Sequence, residues 1–161
     1  PGQINALIPA GAVLGQARLR VVAPGEVASE VPILVEAVSP GLFAADATGS
    51  GLAAAAAIRV ASDGAQTPIN LSGGAAIDLG PEGDQVVLLL FGTGFRNFAG
   101  SVEVTIDGVP AQALGIAPQP QFVGLDQLNV IIPRELIGRG EVEIRVTIDG
   151  KTANVVTIII A

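Results

Sequence analysis

The fold of this chain is decided by a heptapeptide that occurs twice. The sequence QLNVIIP occupies residues 127–133 and QINALIP occupies residues 3–9, and the likeness continues beyond the proline to residue 158. The offset between the copies is 124 residues up to the proline (3 to 127) and 125 residues after it (15 to 140), so one inserted residue separates them. A repeat of this length is one structural unit used twice.

Composition indicates a chain that buries much of its surface. Charged residues make up 14% of the 161 residues, against roughly 25% in an ordinary soluble domain. A monomer with so few charges is expected to expose apolar patches of the kind that mark contacts with other chains. The formal net charge of −7 argues against a nucleic-acid partner, which needs a basic face. No apolar run reaches the ~18 residues that a membrane helix requires, so membrane insertion is not expected.

Several residue types that carry chemistry are missing from the sequence. There is no His, Cys, Met, Trp or Tyr, which removes the commonest general base, every thiol nucleophile and the usual ligands of zinc, copper and iron. The sequence contains neither an initiating Met nor a signal peptide, so we expect a processed chain or an excised piece. The composition therefore predicts a protein that is no enzyme and that carries no cofactor.

Residues 1–35 are predicted to form three strands. The first covers residues 4–8 and is stopped by a proline, the second covers residues 17–22 with alternating arginines and apolar side chains, and the third covers residues 31–35. The sequence APGE at residues 23–26 is the predicted turn between the last two strands.

The remainder of the chain also has the pattern of short strands separated by turns. The run 85–91, which is apolar from Val86 onwards, is predicted to be the central strand, and Asp149-Gly150 is a strong hairpin signal. The other strands are expected within a hairpin at 51–69 and at 76–79, 102–106, 112–116, 142–148 and 154–160. The alanines of residues 53–57 have helix propensity, but their glycine-rich flanks favour a strand. Many short strands with frequent turn signals predict an all-β sandwich.

Short motifs in the second part of the chain resemble a known family. They are Gly-Thr-Gly-Phe at 92–95, Val-x-Val-x-x-x-Gly-x-Pro-Ala at 102–111, the heptapeptide at 127–133, the residues Val142, Gly150 and Asn154, and Pro-Gly-Leu-Phe at 40–43. Together they resemble immunoglobulin-like domains of the IPT/TIG type, and still more the repeated Ig-like modules at the C-termini of many large secreted bacterial proteins. The resemblance implies an immunoglobulin-like β-sandwich with a secreted, structural or adhesive role.

The resemblance also divides the chain unequally. Residues 36–161 correspond to a complete module, whereas residues 1–35 correspond only to the late strands of a second one. The apolar face expected for residues 1–35 consists of Ile4, Leu19, Val21, Val31, Ile33 and Val35. At ~1.5–3 kcal/mol for each large side chain, leaving these six exposed would forfeit about 10 kcal/mol, which is comparable to the stability of a whole domain.

Three ways of covering this face remain open. Residues 1–35 could pack on the chain's own second module, a strand of another subunit could complete them by β-augmentation, or strands of a longer parent protein could cover them. For the second case, the apolar strand 154–161 is a further candidate for pairing between subunits. The expected assembly residues are Ile4, Leu7, Ile8, Leu19, Val21, Val31, Ile33, Val155, Ile158 and Ile160.

Few residues suggest a ligand site. Asp78, Glu82 and Asp84 form an acidic cluster that could bind calcium, although a solvated loop is the favoured interpretation. Gln127 and Asn129 are interpreted as amides that tie a bend to the backbone. No residue is predicted to be catalytic, because the serines have no histidine to activate them and no pair of carboxylates faces across a cleft.

These observations predict an extracellular or cell-surface structural protein. The preferred hypothesis is a self-assembling homo-oligomer or filament that forms a surface fibre or sheath through strand pairing between subunits. The alternative hypothesis is an adhesion, spacer or ligand-binding module of a larger secreted protein, with a cell-surface protein or a glycan as its partner.

Overall fold

The computed structural model describes residues 6–22 and 28–161. The chain divides into two compact units, Pro1–Ala37 and Val38–Ala161, and this boundary falls two residues beyond the one expected from the motifs. The interpretation of the first unit as a partial module stays a prediction.

The first unit is a two-stranded antiparallel hairpin. Strand β1 spans Gly15–Val21, strand β2 spans Ser29–Val35, and the pairing runs from Gly15 opposite Val35 to Val21 opposite Ser29. Of the three strands expected here, the described residues form two, and residues 6–8 lie outside any strand. The start of the predicted first strand, with Ile4, and the predicted turn at residues 23–26 lie outside the described residues.

The second unit is an all-β sandwich, as the sequence predicted. Its strands are β3 Gly41–Leu42, β4 Ala55–Val60, β5 Gln66–Ile69, β6 Gln85–Thr93, β7 Val102–Ile106, β8 Val109–Ala111, β9 Ala113–Pro118, β10 Asp126–Ile131, β11 Gly140–Ile148, β12 Lys151–Thr152 and β13 Val156–Ile160. Six strands form sheet I, in the order β5-β4-β6-β10-β9 with β3 paired to β6. Five form sheet II, in the order β12-β11-β7-β8 with β13 paired to β11.

Alternating apolar side chains from both sheets meet in one core. Along β6 and β11 every second residue is buried, which is the period that a strand with one face on the core requires. The largest fully buried side chains are Phe95, Ile77, Leu88, Leu90, Ile106, Leu128, Ile132, Leu136, Ile144, Ile148, Ile160 and Val86.

Several sequence predictions are confirmed and three need correction. The alanine-rich segment is a strand from Ala55 onwards, and β6 lies inside sheet I with β4 and β10 as its neighbours. The expected strand at 76–79 is reduced to a single bridge between Ile77 and Ile160. The last strand begins at Val156 rather than at residue 154, and β9 begins at Ala113 and extends to Pro118.

The two copies of the repeat form hairpins of identical register. In the first copy Gly15 lies opposite Val35 and Leu19 opposite Val31. Adding 125 to each number gives the pairs Gly140–Ile160 and Ile144–Val156, which are the pairs observed between β11 and β13. The hairpin β1–β2 is therefore the structural counterpart of β11–β13, and each of its residues can be interpreted through its counterpart.

Among the residues that the structure describes, no helix is long and apolar enough to span a membrane.

Candidate functional site: the strand edges and an apolar groove

The hairpin β1–β2 has an apolar face whose counterparts are buried. Leu19 and Val31 are 40% and 53% exposed, whereas their counterparts Ile144 and Val156 are 0% exposed. Those counterparts are buried because sheet I lies on the other side of the core. Within its described residues, the first unit has one two-stranded sheet and no second sheet of its own. The face that the sequence predicted, which includes Val21 and Ile33, thus lies on one side of a single layer.

The opposite face of the hairpin is charged and is held by surface ion pairs. Arg18 Nη1 lies 3.4 Å from Glu30 Oε2, and Arg20 Nε lies 3.7 Å from Glu30 Oε1. All three side chains are largely exposed, so each pair stabilises the hairpin by at most about 1 kcal/mol. Their main consequence is to put two positive charges and one negative charge beside the edge of β1.

Strand β1 has an open backbone edge. Its counterpart β11 pairs with β13 on one side and with β7 on the other. On the β7 side, the carbonyl of Glu143 accepts a hydrogen bond from the Asp107 N–H at 2.8 Å. Arg18 is the counterpart of Glu143, so its backbone N–H and C=O point away from β2. No described strand pairs with them.

Four of the described edge strands each carry a proline that faces outwards. These prolines are Pro32 in β2, Pro68 in β5, Pro110 in β8 and Pro118 in β9, and they lie opposite Arg18, Ile58, Thr105 and Asp126. The backbone groups of Ile58, Thr105 and Asp126 bond to the strand on their other side, and those of Arg18 point away from β2, because backbone direction alternates along a strand. The proline nitrogen therefore faces away from the sheet. A proline cannot donate a ladder hydrogen bond, so it protects an edge against pairing.

The outer edge of the short strand β3 is hydrogen-bonded to a side chain instead of carrying a proline. Asn154 Oδ1 accepts the N–H of Leu42 at 2.8 Å, and Asn154 Nδ2 donates to the C=O of Leu42 at 2.9 Å. The amide thus satisfies the outer backbone groups of β3 as a neighbouring strand would.

The C-terminal strand, which the sequence suggested for pairing between subunits, is already occupied on both sides. Its inner edge pairs with β11. On its outer edge Thr157 donates to Gly51 at 2.7 Å and accepts from Ala53 at 2.8 Å, and the Ile159 carbonyl accepts from Ile77 at 2.8 Å. The expectation for residues 154–161 is therefore corrected.

The side chains expected to assemble through this strand are also engaged elsewhere. Ile158 and Ile160 are buried in the core, and Val155 precedes the strand. The structure thus leaves the first unit as the part of the predicted assembly surface with an open edge. In that unit Leu7 and Ile8 are exposed but lie in no strand.

The acidic cluster does not come together as a calcium site. Asp78 Oδ2 lies 3.0 Å from Arg59 Nη2, and Asp78 Oδ1 accepts the N–H of Gly80 at 2.8 Å. These two contacts, the Gly80 hydrogen bond first, hold the pKa of Asp78 below its ordinary value. Glu82 is exposed. Within the described residues no group of three or more His, Cys, Asp or Glu side chains converges on one point.

A second arginine, Arg134, also bonds to this loop. Arg134 donates to the carbonyls of Leu79 and Gly80 at 2.9 Å each, and to the carbonyl of Asp84 at 3.4 Å. Asp84 is buried beside this guanidinium. Arginines therefore bind the Asp78 carboxylate and the carbonyls of residues 79, 80 and 84, and the loop serves to link its strands.

The sequence interpretation of one pair of polar side chains is wrong, and the roles of two aspartates were not predicted. Gln127 and Asn129 lie within β10 and bond to each other at 2.7 Å rather than to backbone groups of a bend. Asp126 was not singled out, yet its buried carboxylate accepts the N–H of Phe95 at 3.0 Å and a hydrogen bond from Arg96. Asp149, predicted only as a turn residue, accepts three backbone N–H groups of residues 99–101. The contacts of Asp126 and Asp149 stabilise loops.

The second unit also has an apolar groove of about 590 Å³. The groove lies beside the segment that bonds to β13 through Ala53 and then continues into strand β4 of sheet I. Its wall includes residues 53–56, Ile69, Leu71 and Ile159, and none of the described residues that line it is charged. Such a surface fits an uncharged, apolar ligand.

Comparison of the chain with protein-family models, with curated proteins and with solved structures finds no match, so the likeness to Ig-like modules rests on the sequence motifs and the sandwich alone.

Proposed function

We propose that this chain is an extracellular structural protein of Ig-like type that self-assembles by strand pairing at the open edge of β1. The repeated module and the low charge support a structural role. The resemblance to modules of secreted bacterial proteins supports a cell-surface fibre or sheath as the setting.

One observation carries this proposal. The edge strands β2, β5, β8 and β9 each have an outward-facing proline, β3 is closed by Asn154, and β13 is bonded on both sides, whereas β1 has none of these protections. An unprotected edge is a template for another strand. When the remaining edges of a protein are guarded, the open one is the natural place for a partner strand to add.

The test uses a proline at the open edge. In Arg18→Pro the lost N–H faces outwards, so the hydrogen bonds between β1 and β2 remain while pairing to another chain is blocked. Arg18→Ala is the matched control, since it removes the same charge and the same ion pair but keeps the N–H. We expect light scattering to give a mass above that of the monomer for the wild type and for Arg18→Ala, and a monomer mass for Arg18→Pro.

A wild-type chain that stays monomeric at high concentration would contradict the proposal. So would an Arg18→Pro variant that assembles as well as Arg18→Ala. Negative-stain electron microscopy of the same samples shows whether the assembled wild type forms fibres.

A second candidate function is favoured by the apolar groove of the second unit. A binding module of a larger secreted protein would hold an uncharged, apolar ligand against Ile159 and the alanines of β4. Ile159→Arg should then abolish binding of a fluorescent apolar probe, while Ile137→Arg, at an exposed position outside the groove, should not. Equal probe binding by both variants would remove this candidate.

A further inference from the structure

We infer that the partner of β1 is β1 of a second copy, paired antiparallel about a twofold axis that passes beside Ala17. This inference rests on the proposed function and deepens it, because it names the strand that is added and its register. The assembled unit is a dimer with the continuous strand order β2-β1-β1-β2.

The choice of partner follows from the edges that a second copy offers. Its β2, β5, β8 and β9 have outward-facing prolines at positions 32, 68, 110 and 118, so each lacks a donor that pairing requires. Its β13 is already bonded on both sides. Among the described strands of three or more residues, β1 alone offers a complete row of N–H and C=O groups. Two open edges of the same kind close on each other in an isologous contact.

Charge excludes the two registers centred at Arg18 and Leu19. Arg18 and Arg20 lie on the same face of β1, and like charges directly opposite each other destabilise a sheet. An axis at Leu19 would set Arg18 of each copy opposite Arg20 of the other, and an axis at Arg18 would set the two Arg18 side chains opposite each other. An axis at Ala17 sets Arg18 opposite the uncharged Gln16 of the second copy.

The backbone is compatible with the Ala17 register. Gln16 and Arg18 have the outward-facing groups, as their counterparts Glu141 and Glu143 do. With the axis at Ala17 these two residues of one copy exchange hydrogen bonds with Arg18 and Gln16 of the other. The two Ala17 residues then form a pair that is not hydrogen-bonded, in which Cα atoms approach to about 4.5 Å.

The pairing has a consequence for the apolar face. A twofold axis perpendicular to the sheet keeps the same face of both hairpins on one side. Leu19, Val31 and Ile33 of both copies then form one continuous apolar surface on a four-stranded sheet. A single open edge per copy closes the strand pairing at two subunits, so growth into a fibre proceeds through this surface rather than through further strand addition.

The chain contains no cysteine, which makes cross-linking a direct test. The full chain carrying Ala17→Cys, Leu19→Cys or Thr67→Cys is exposed to mild oxidant, and disulfide dimers are followed by non-reducing electrophoresis. Paired residues that are not hydrogen-bonded meet the distance requirement of a disulfide. We expect Ala17→Cys to cross-link roughly tenfold faster than Thr67→Cys, which lies on the proline-protected β5 and reports random collision. Leu19→Cys, which faces Gly15 of the second copy, should match Thr67→Cys.

The outcomes separate this inference from the proposed function. If Arg18→Pro abolishes assembly but Ala17→Cys cross-links no faster than Thr67→Cys, the twofold pairing is wrong and the open edge accepts some other strand. Rapid cross-linking of Leu19→Cys instead overturns the register. A monomeric wild type with no preferred cross-link overturns both.

Discussion

The side chain of Asn154 bonds to the outer edge of β3 in the way that a neighbouring strand would. Its amide bonds to both backbone groups of Leu42, and its Nδ2 also donates to the carbonyl of Gly49 at 2.7 Å. The sequence motif drew attention to this asparagine, but its partners lie 112 and 105 positions away along the chain. No local pattern encodes contacts of that separation, so the residue could be noticed from sequence and its role could not be derived.

The second glycine of the Gly-Thr-Gly-Phe motif, Gly94, is required by a backbone contact that becomes visible only in three dimensions. Gly94 has a φ of +78°, and a Cβ atom at this position would lie 2.1 Å from the carbonyl oxygen of Ser39. Two segments of backbone therefore touch here, and the Ser39 N–H donates to the Gly94 carbonyl at 3.1 Å. The sequence predicted the end of a strand at this motif but not the close contact with Ser39.

Asp126 is expected to be the polar side chain whose loss destabilises the second unit most clearly. Replacement by Ala leaves the buried N–H of Phe95 without its acceptor, and a buried unsatisfied donor costs about 2 kcal/mol. Urea denaturation of Asp126→Ala should show this loss in the free energy of unfolding. Glu103→Ala, an exposed carboxylate on β7, should unfold close to the wild type, and equal stabilities of the two variants would contradict the role assigned to Asp126.

At the scale of elements, alternation predicted strands well wherever one face is buried. The limits of strands β6, β7 and β11 lie within two residues of the expected ones, because every second residue of each strand is in the core. The prediction failed at residues 154 and 155, where Asn154 turns aside to cap β3, and at 6–8, where an apolar run forms no strand. Side-chain capping and the lack of a pairing strand are tertiary effects that periodicity does not report.

The edge prolines were also visible in the sequence, but the sequence alone did not show which way each proline nitrogen faces. A proline marks an edge strand, but the direction of its nitrogen depends on register. Only the observed pairings show that positions 32, 68, 110 and 118 all face outwards.

Removal of one such proline should create a new site of association. In an Arg18→Pro background, which closes β1, Pro68→Thr restores a donor on the outer edge of β5. We expect this variant to regain a mass above that of the monomer in light scattering at high concentration. Pro81→Thr, in an exposed loop, is the matched control and should stay monomeric. If Pro68→Thr also stays monomeric, prolines are not what protects the edges.

At the scale of the whole molecule, the internal repeat is what the sequence predicted most usefully. The repeat indicated two hairpins of the same kind. The structure shows them as β1–β2 and β11–β13, which have an identical register. The sequence also directed attention to two candidates for assembly, the first 35 residues and the last eight. The structure separates them, because the last strand is bonded on both sides while β1 pairs with only one of the described strands.

The central claim is that the open edge of β1 pairs with another chain, and hydrogen exchange at single amides tests it most directly. The Leu19 N–H faces β2, whereas the Arg18 N–H faces outwards, so the two neighbours report the hairpin and the assembly separately. We expect NMR to find the Leu19 amide protected at every concentration and the Arg18 amide protected only as concentration rises. An Arg18 amide that exchanges at the rate of an unprotected chain at all concentrations, beside a protected Leu19, would contradict it.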